Sequence, residues 1–242
     1  MPLAFLRLTI AAVVVSIAPA GPVGAASRAK LPAAYAKMAA KVDALKSLSV
    51  IVTTTIEITP LAGGEGTKLQ SGARIDYSAP NRLLIVAESM AGRMTIVSDG
   101  KSLYKYIESS RQYTAEPAPA RLTHGLLKEL VVDSLRAAGS GESSGIAVDI
   151  VKGVARTPRG KADITLAIGK QDSLPRSCVS VAQGLATQRG TYRVTNTQSF
   201  KWIGTNQAIP AAKYAFKPAA GASLVKSLPM AGPMGEGGVA IP

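Results

Sequence analysis

Hydrophobic and polar residues alternate with a period of two over most of this chain. Val50, Val52, Thr54, Ile56 and Ile58 alternate with Ile51, Thr53, Thr55 and Glu57. This β-branched alternation is typical of a strand with one buried face. The same reading predicts strands at 69–77, 82–88, 93–98, 101–107, 111–115, 146–155, 162–168, 177–182 and 191–200, and a short last one at 214–216.

Two segments have apolar residues at helical spacing instead. The first runs from Pro32 to Leu48, with Tyr35, Met38, Val42 and Leu45 on one side. The second runs from Leu122 to Ala138, and its apolar stripe is Leu126, Leu127, Leu130, Val131 and Leu135. Both predict amphipathic helices. Residues 139–145, rich in Gly and Ser, then predict a flexible linker.

Asp99-Gly100 separates two of the predicted strands. Asp-Gly is a strong hairpin signal, because a type I′ turn needs positive φ at both central residues. Centring the turn there places Ile96 opposite Leu103 and Thr95 opposite Tyr104.

The order of elements is helix, six strands, helix, then four or five strands. A long antiparallel meander closes into a barrel or curls into a half-barrel. We therefore predict an α+β fold, mainly β, with amphipathic helices covering the open side.

The two ends of the chain read as separate from this domain. Arg7, the apolar run 8–17 and Val23-Gly24-Ala25 have the order of a cleavable secretory signal peptide. Residues 229–242, rich in Gly and Pro, lack periodicity and predict a disordered tail. We expect a signal peptide at 1–25, one domain at 26–228, and a periplasmic or secreted protein. Because no Cys follows the cleavage site, no lipid anchor is expected.

The composition is basic, with a formal net charge of +13. A basic protein attracts polyanions. Export and the scatter of the charge argue against nucleic acid, as does the lack of interleaved aromatic residues. An anionic membrane surface is the partner that this charge favours, and a merely solvated basic surface is the alternative. Cys178, the single cysteine, reads as a small buried hydrophobic residue.

Catalytic and metal-binding patterns are weak in this chain. One His and one Cys do not assemble a zinc site, and no cofactor fingerprint follows a strand. Gly141-Glu142-Ser143-Ser144-Gly145 matches G-x-S-x-G, but it follows a predicted helix and precedes a strand, the reverse of a nucleophile elbow. We therefore expect neither an enzyme nor a cofactor.

A specific motif lies between Ile96 and Glu116. Its first part reads Ile-Val-Ser-Asp-Gly-Lys-Ser-Leu-Tyr-Lys-Tyr, and Gln-Tyr-Thr follows at 112–114. This stretch resembles the hairpin of the LolA-type periplasmic lipoprotein carriers, and Phe216 to Ala222 resembles their closing segment. The resemblance implies an unclosed β-barrel with helices as a lid over a hydrophobic cavity. The carriers have an Arg before the proline matched by Pro80, where this chain has Ala79, and Arg82 lies on the other side of a strand by spacing.

The resemblance favours an exported binding protein that holds a lipid, an acyl chain or a lipoprotein in an apolar cavity. Candidate residues for the wall and lid are Val52, Ile56, Leu83, Ile85, Met94, Ile96, Tyr104, Leu126, Leu130 and Val131. Residues of these types are more often part of an ordinary core than of a pocket lining. The expected partners are acyl chains and a membrane protein. The protein itself is expected to be a monomer. The alternative is a periplasmic protein-interaction or sensor module on the same fold, with no lipid cargo.

Overall fold

The computed structural model describes residues 31–90, 92–122, 131–157, 160–187 and 190–228. These residues form one α-helix, twelve strands and one 3₁₀ helix. The bounds are α1 Ala33–Asp43, β1 Ser47–Pro60, β2 Thr67–Ser78, β3 Arg82–Ser89, β4 Gly92–Asp99, β5 Ser102–Ile107, β6 Gln112–Pro117, β7 Val131–Ser143, β8 Ile146–Thr157, β9 Gly160–Gly169, β10 Pro175–Thr187, β11 Gly190–Thr205, the 3₁₀ helix Ala211–Tyr214 and β12 Ser223–Leu224.

All twelve strands belong to one sheet, in the order β12-β6-β5-β4-β3-β2-β1-β11-β10-β9-β8-β7. Every neighbouring pair is antiparallel except β12 with β6. β7 and β12 occupy opposite edges and do not pair, so the sheet is unclosed. The predicted fold class, mainly β with an unclosed antiparallel sheet, is confirmed.

One face of the sheet, here called the inner face, carries the hydrophobic core. Met38 and Val42 of α1 pack there with Val50 and Val52 of β1 and with Leu166 of β9. The alternation in β1 explains this arrangement, because its even-numbered residues from Leu48 to Ile56 are all buried. The opposite, outer face carries Asp76, Leu84, Val97 and Tyr104, which follow one another across β2 to β5.

The first helix is shorter than its pattern predicts. α1 ends at Asp43 rather than Leu48, and Ser47 and Leu48 already pair with Ser78 and Tyr77 of β2. Leu48 is buried as a strand residue. Its apolar side chain agrees both with the helical spacing of the preceding residues and with the alternation of β1.

The predicted second helix is wrong over the residues that the structure describes. Residues 131–138 belong to β7, and residues 123–130 lie outside the described residues. A bulge at Asp133 explains the misleading pattern. Val132 lies opposite Ala155 and Leu135 opposite Gly153, so one extra residue separates two inner-facing side chains and mimics helical spacing.

The predicted linker at 139–145 is also wrong, because it forms the end of β7 and a tight turn into β8. Ser143 pairs with Ile146, and the two turn residues Ser144 and Gly145 have φ values of 51° and 77°. Two positive φ angles are typical of a type I′ turn. The G-x-S-x-G residues therefore lie in a β-hairpin rather than on a strand-to-helix elbow.

The Asp99-Gly100 hairpin forms, but its register differs from the prediction. Ser98 lies opposite Leu103, Ile96 opposite Lys105 and Thr95 opposite Tyr106. The loop is longer because the Asp99 carboxylate accepts hydrogen bonds from the backbone N–H groups of Lys101 (2.7 Å) and Ser102 (2.8 Å). Since the shift is two residues, each side chain keeps its face.

The segment after β11 crosses the outer face. The predicted strand at 214–216 is wrong, because Tyr214 ends a 3₁₀ helix and the last strand is Ser223–Leu224. Tyr214 is buried and its hydroxyl lies 2.8 Å from Ser78 Oγ. The Phe216 ring stacks on Tyr104, with ring centroids 4.7 Å apart. Aromatic contacts thus fasten this segment to the sheet.

Two predictions concern residues beyond this description. The signal peptide at 1–25 and the tail at 229–242 lie outside the described residues, and both stay predictions. In the described part of the chain, no helix has the length and apolar character needed to cross a membrane.

Candidate ligand-binding cavity

An open cavity of about 430 Å³ lies between the start of α1, the edge strand β7 and its neighbour β8. Its volume falls within the range of roughly 300–1,000 Å³ typical of small-molecule sites. Its lining is mostly aliphatic: Pro32, Ala33, Ala34, Leu135, Arg136, Ala137, Gly139, Asp149, Ile150 and Val151.

The bulges in β7 position this lining. After the bulge at Asp133, Leu135 and Ala137 lie opposite Gly153 and Val151 of β8, which share the inner face. A second irregularity between Ala137 and Ser140 bends the edge strand again. Small residues on α1 and β7 leave space where larger side chains would close the cavity.

Polar groups lie at one side of the cavity. Asp149 Oδ1 is 3.3 Å from Ser140 Oγ and 3.7 Å from Lys170 Nζ. Both charged side chains are more than two-fifths exposed, so the pair contributes little to stability. The pair places solvent-exposed polar groups at the margin of the cavity, whose other lining residues are mostly aliphatic.

The structure places most of the predicted wall residues in the packed part of the core. Val52, Ile56, Leu83, Ile85 and Ile96 are buried on the inner face, and Met94 is partly buried beside them. None of the six lines the open cavity. Tyr104 lies on the outer face, because it pairs with Val97 rather than with an inner-facing residue. This placement corrects the prediction that Tyr104 forms part of the wall.

Of the three predicted lid residues, the structure describes only Val131. Leu126 and Leu130 lie outside the described residues, and Val131 begins the edge strand β7. The chain that leaves β6 is anchored at Leu122, which is buried. Its N–H donates to Pro80 O (2.9 Å) and its carbonyl accepts from the Tyr77 hydroxyl (3.1 Å). Burial raises the pKa of Tyr77, which keeps this phenol a neutral donor.

The position of Arg82 agrees with its spacing from Ala79. Arg82 pairs with Ser78 and Asp99 on the outer face of β3. Arg82 therefore lies on the face opposite the one that carries the hydrophobic core.

Cys178 is buried on the inner face, opposite Leu166 and Gln198. Burial raises the pKa of its thiol to about 11. At pH 8 only about one thiol in a thousand is then ionised, and the thiolate is the reactive form.

We expect Cys178 to resist a disulfide reagent such as DTNB at pH 8 in the folded protein and to react fully in 6 M guanidinium chloride. Absorbance of the released thiolate measures both. Denatured protein is the control for a chemically intact thiol. Stoichiometric labelling of the folded protein within seconds would contradict this burial.

Within the described ranges, no group of three or more His, Cys, Asp or Glu side chains could hold a metal ion. An unclosed antiparallel sheet with a helix on its inner face agrees with the fold that the hairpin-motif resemblance implies.

Part of this chain matches a known protein family. Residues 33–138, just under half of the chain, match a family described as "Predicted periplasmic protein (DUF2092)". That description confirms the location outside the cytoplasm that the sequence predicts. No curated protein matches this chain.

Several solved structures are similar to this chain. An uncharacterized conserved protein from Thermus thermophilus is 16% identical over 79% of this chain and 98% of its own, with a TM-score of 0.44. The lipoprotein LppX of Mycobacterium tuberculosis is 17% identical over 74% and 96%, with a TM-score of 0.43. The LolA superfamily protein NE2245 from Nitrosomonas europaea is 8% identical over 76% and 97%, with a TM-score of 0.31.

Proposed function

We propose that this protein binds the acyl chain of a lipid or lipid-modified polypeptide in the periplasm and holds it in the cavity between α1 and the β7–β8 hairpin. The observation that carries the proposal is an open cavity of about 430 Å³ whose lining is mainly Ala, Ile, Leu, Val and Pro. Such a lining suits a ligand that needs no hydrogen bonds along most of its length.

Energetics favour an acyl chain over a compact polar ligand. Each buried CH₂ contributes about 0.8 kcal/mol, so six methylenes contribute about 5 kcal/mol before the costs of association. The packed residues beside the cavity, including Ile164 and Leu166, offer further aliphatic surface if α1 shifts.

The experiment compares two tryptophan variants on α1. Ala34 lines the cavity, whereas Ala36 is exposed and does not line it. Ala34→Trp should weaken binding of a fluorescent fatty acyl probe by about tenfold or more, which corresponds to about 1.4 kcal/mol. Ala36→Trp should leave binding within about twofold, because its ring points to solvent.

Native mass spectrometry of protein from the periplasmic fraction provides the independent readout. We expect an adduct of lipid mass on the unchanged protein and less of it on Ala34→Trp. A protein that is always empty and also ignores the acyl probe would refute the proposal.

A second candidate is a protein-interaction or sensor module with no lipid cargo. It is favoured by the dense packing of the inner face away from the cavity, where Val50, Leu83 and Ile85 are at most 2% exposed. Equal, weak probe binding by both tryptophan variants and the unchanged protein would support this candidate.

A further inference from the structure

Polar side chains interrupt the aliphatic inner face at the centre of the sheet. Thr54 of β1 lies opposite Gln198 of β11, and Asn196 of β11 lies opposite Ser180 of β10. These four residues, here called the polar strip, occupy two adjacent cross-strand rows on three neighbouring strands.

Two atoms of the polar strip are buried without a hydrogen-bond partner. They are Thr54 Oγ1 and Asn196 Oδ1, and the Thr54 residue is only 1% exposed. A buried polar group left unpaired is destabilising, so native proteins pair nearly all of them. An unpaired hydroxyl and an unpaired carbonyl oxygen on neighbouring strands therefore point to a further group that bonds to both.

Among the residues that the structure describes, the inner-facing neighbours of the polar strip are uncharged. The inner-facing neighbours are Val52 and Ile56 on β1, Val194 and Phe200 on β11, and Ile164 and Leu166 on the next strand, β9. A carboxylate or phosphate would be desolvated there without a cation to pair with. A neutral group with one acceptor and one donor fits instead.

We propose that the polar strip is a subsite for the uncharged hydroxyl and ester oxygens of a neutral lipid whose acyl chain lies in the cavity. This inference rests on the proposed function. The ligand ester carbonyl accepts from Thr54 Oγ1, and a ligand hydroxyl donates to Asn196 Oδ1. Thr54 and Asn196 are diagonal neighbours, about 7–8 Å apart, a distance that one glycerol ester group spans.

The register connects the polar strip to the cavity. Val151, which lines the cavity, is followed across the sheet by Leu166, Cys178, Gln198 and Thr54. Four strand spacings make about 19 Å, so a lipid lying along this row has its chain at the cavity and its polar group at the strip. Leu166 is fully buried in between, so this ligand must displace it or the helix above it.

Three probes of equal chain length separate the chemistry: monolauroylglycerol, laurate and dodecane. Each competes with a fluorescent acyl probe for the unchanged protein, for Thr54→Val and for Asn196→Leu. We expect monolauroylglycerol to bind best. In each variant the affinity for monolauroylglycerol relative to dodecane should fall about three- to tenfold, the range expected for one hydrogen bond. Binding of dodecane should not change.

Thr53→Val is the matched control, since Thr53 is the next residue on β1 and is exposed on the outer face. It should change none of the three affinities. Because Thr54→Val removes an unpaired hydroxyl and keeps the shape, its empty form should melt at or above the temperature of the unchanged protein. It therefore serves as a folded variant even if Asn196→Leu does not fold.

The outcomes separate this inference from the proposed function. Binding of all three probes with equal affinity, or no change in Thr54→Val, would overturn the subsite and leave acyl binding standing. Preference for laurate would overturn it as well, because a carboxylate would then be recognised. Failure of every probe to bind would overturn both proposals.

Discussion

Replacing Gly153 with alanine is expected to lower the free energy of unfolding by about 3 kcal/mol or more, because the new Cβ has no room. A Cβ built on Gly153 would lie 1.8 Å from the carbonyl oxygen of Ser134. That oxygen belongs to the backbone of β7 beside the bulge, so no side-chain rotation relieves the clash. The edge strand must move away from β8, and the cavity wall at Leu135 moves with it.

Gly72→Ala is the matched control for this substitution. Gly72 also lies within a strand, but a Cβ there would meet nothing within 4 Å. Alanine at 72 should leave stability unchanged or raise it by about 0.4–1 kcal/mol, because it restricts the unfolded chain. Urea unfolding followed by circular dichroism measures both. Equal midpoints for the two variants would contradict the close approach of β7 to Gly153.

The strands that the sequence predicted best are those with uninterrupted alternation. β1 is the clearest case, since its even-numbered residues from Leu48 to Ile56 are buried as their period requires. In such a strand the side-chain face follows from position alone. The predicted strands from β2 to β6 and from β8 to β11 differ from the observed bounds mainly at their ends.

β7 could not be predicted in the same way, because its pattern depends on its partner strand. The bulge at Asp133 adds one residue on β7 against β8, which a single segment does not reveal. Two glycines were the available signal. Gly139 has a φ of 100° and Gly153 accommodates the Ser134 carbonyl, and isolated glycines in strand-like sequence indicate bulges or close backbone approach.

The sequence predicted the aliphatic character of the candidate site but not its position in the fold. The inner face is aliphatic, as the alternation indicates, yet the open cavity is bounded by Ala33 and Ala34 of α1 and by Leu135 and Ala137 of β7. These segments are about one hundred residues apart in sequence, and small residues carry no periodic signal. The polar strip was equally hidden, because Thr54 fits a strand pattern whichever group it bonds.

A buried carboxylate on the outer face, that of Asp76, leads to the second prediction of a large change in the free energy of unfolding. Asp76 is fully buried, and its carboxylate accepts from Arg74 Nε at 2.9 Å and from Lys213 Nζ at 3.4 Å. Lys213 belongs to the 3₁₀ helix that crosses the outer face. Burial alone would raise the pKa of Asp76, but the neighbouring Ser49 hydroxyl, the hydrogen bond from Arg74 and the positive charges of Arg74 and Lys213 outweigh it, so the pKa is lowered.

Arg74→Met combined with Lys213→Met is expected to lower the free energy of unfolding by about 3 kcal/mol, because it leaves a buried charge without a positive partner. Adding Asp76→Asn to this double variant should restore part of the loss, since the buried charge is removed with its partners. Lys68→Met is the control. Lys68 pairs with Glu57 where both side chains are at least half exposed, so its loss should change stability by at most about 1 kcal/mol.

Acid titration provides a second readout of the same carboxylate. The unfolded pKa of an Asp is about 3.9, and the folded pKa of Asp76 is lower. Its stabilising contribution is therefore complete above the unfolded pKa and disappears as the pH falls toward the folded one. The difference in stability between the unchanged protein and Asp76→Asn should shrink from pH 6 to pH 3. A difference that stays constant over this range would mean that Asp76 is not held as a carboxylate by Arg74 and Lys213.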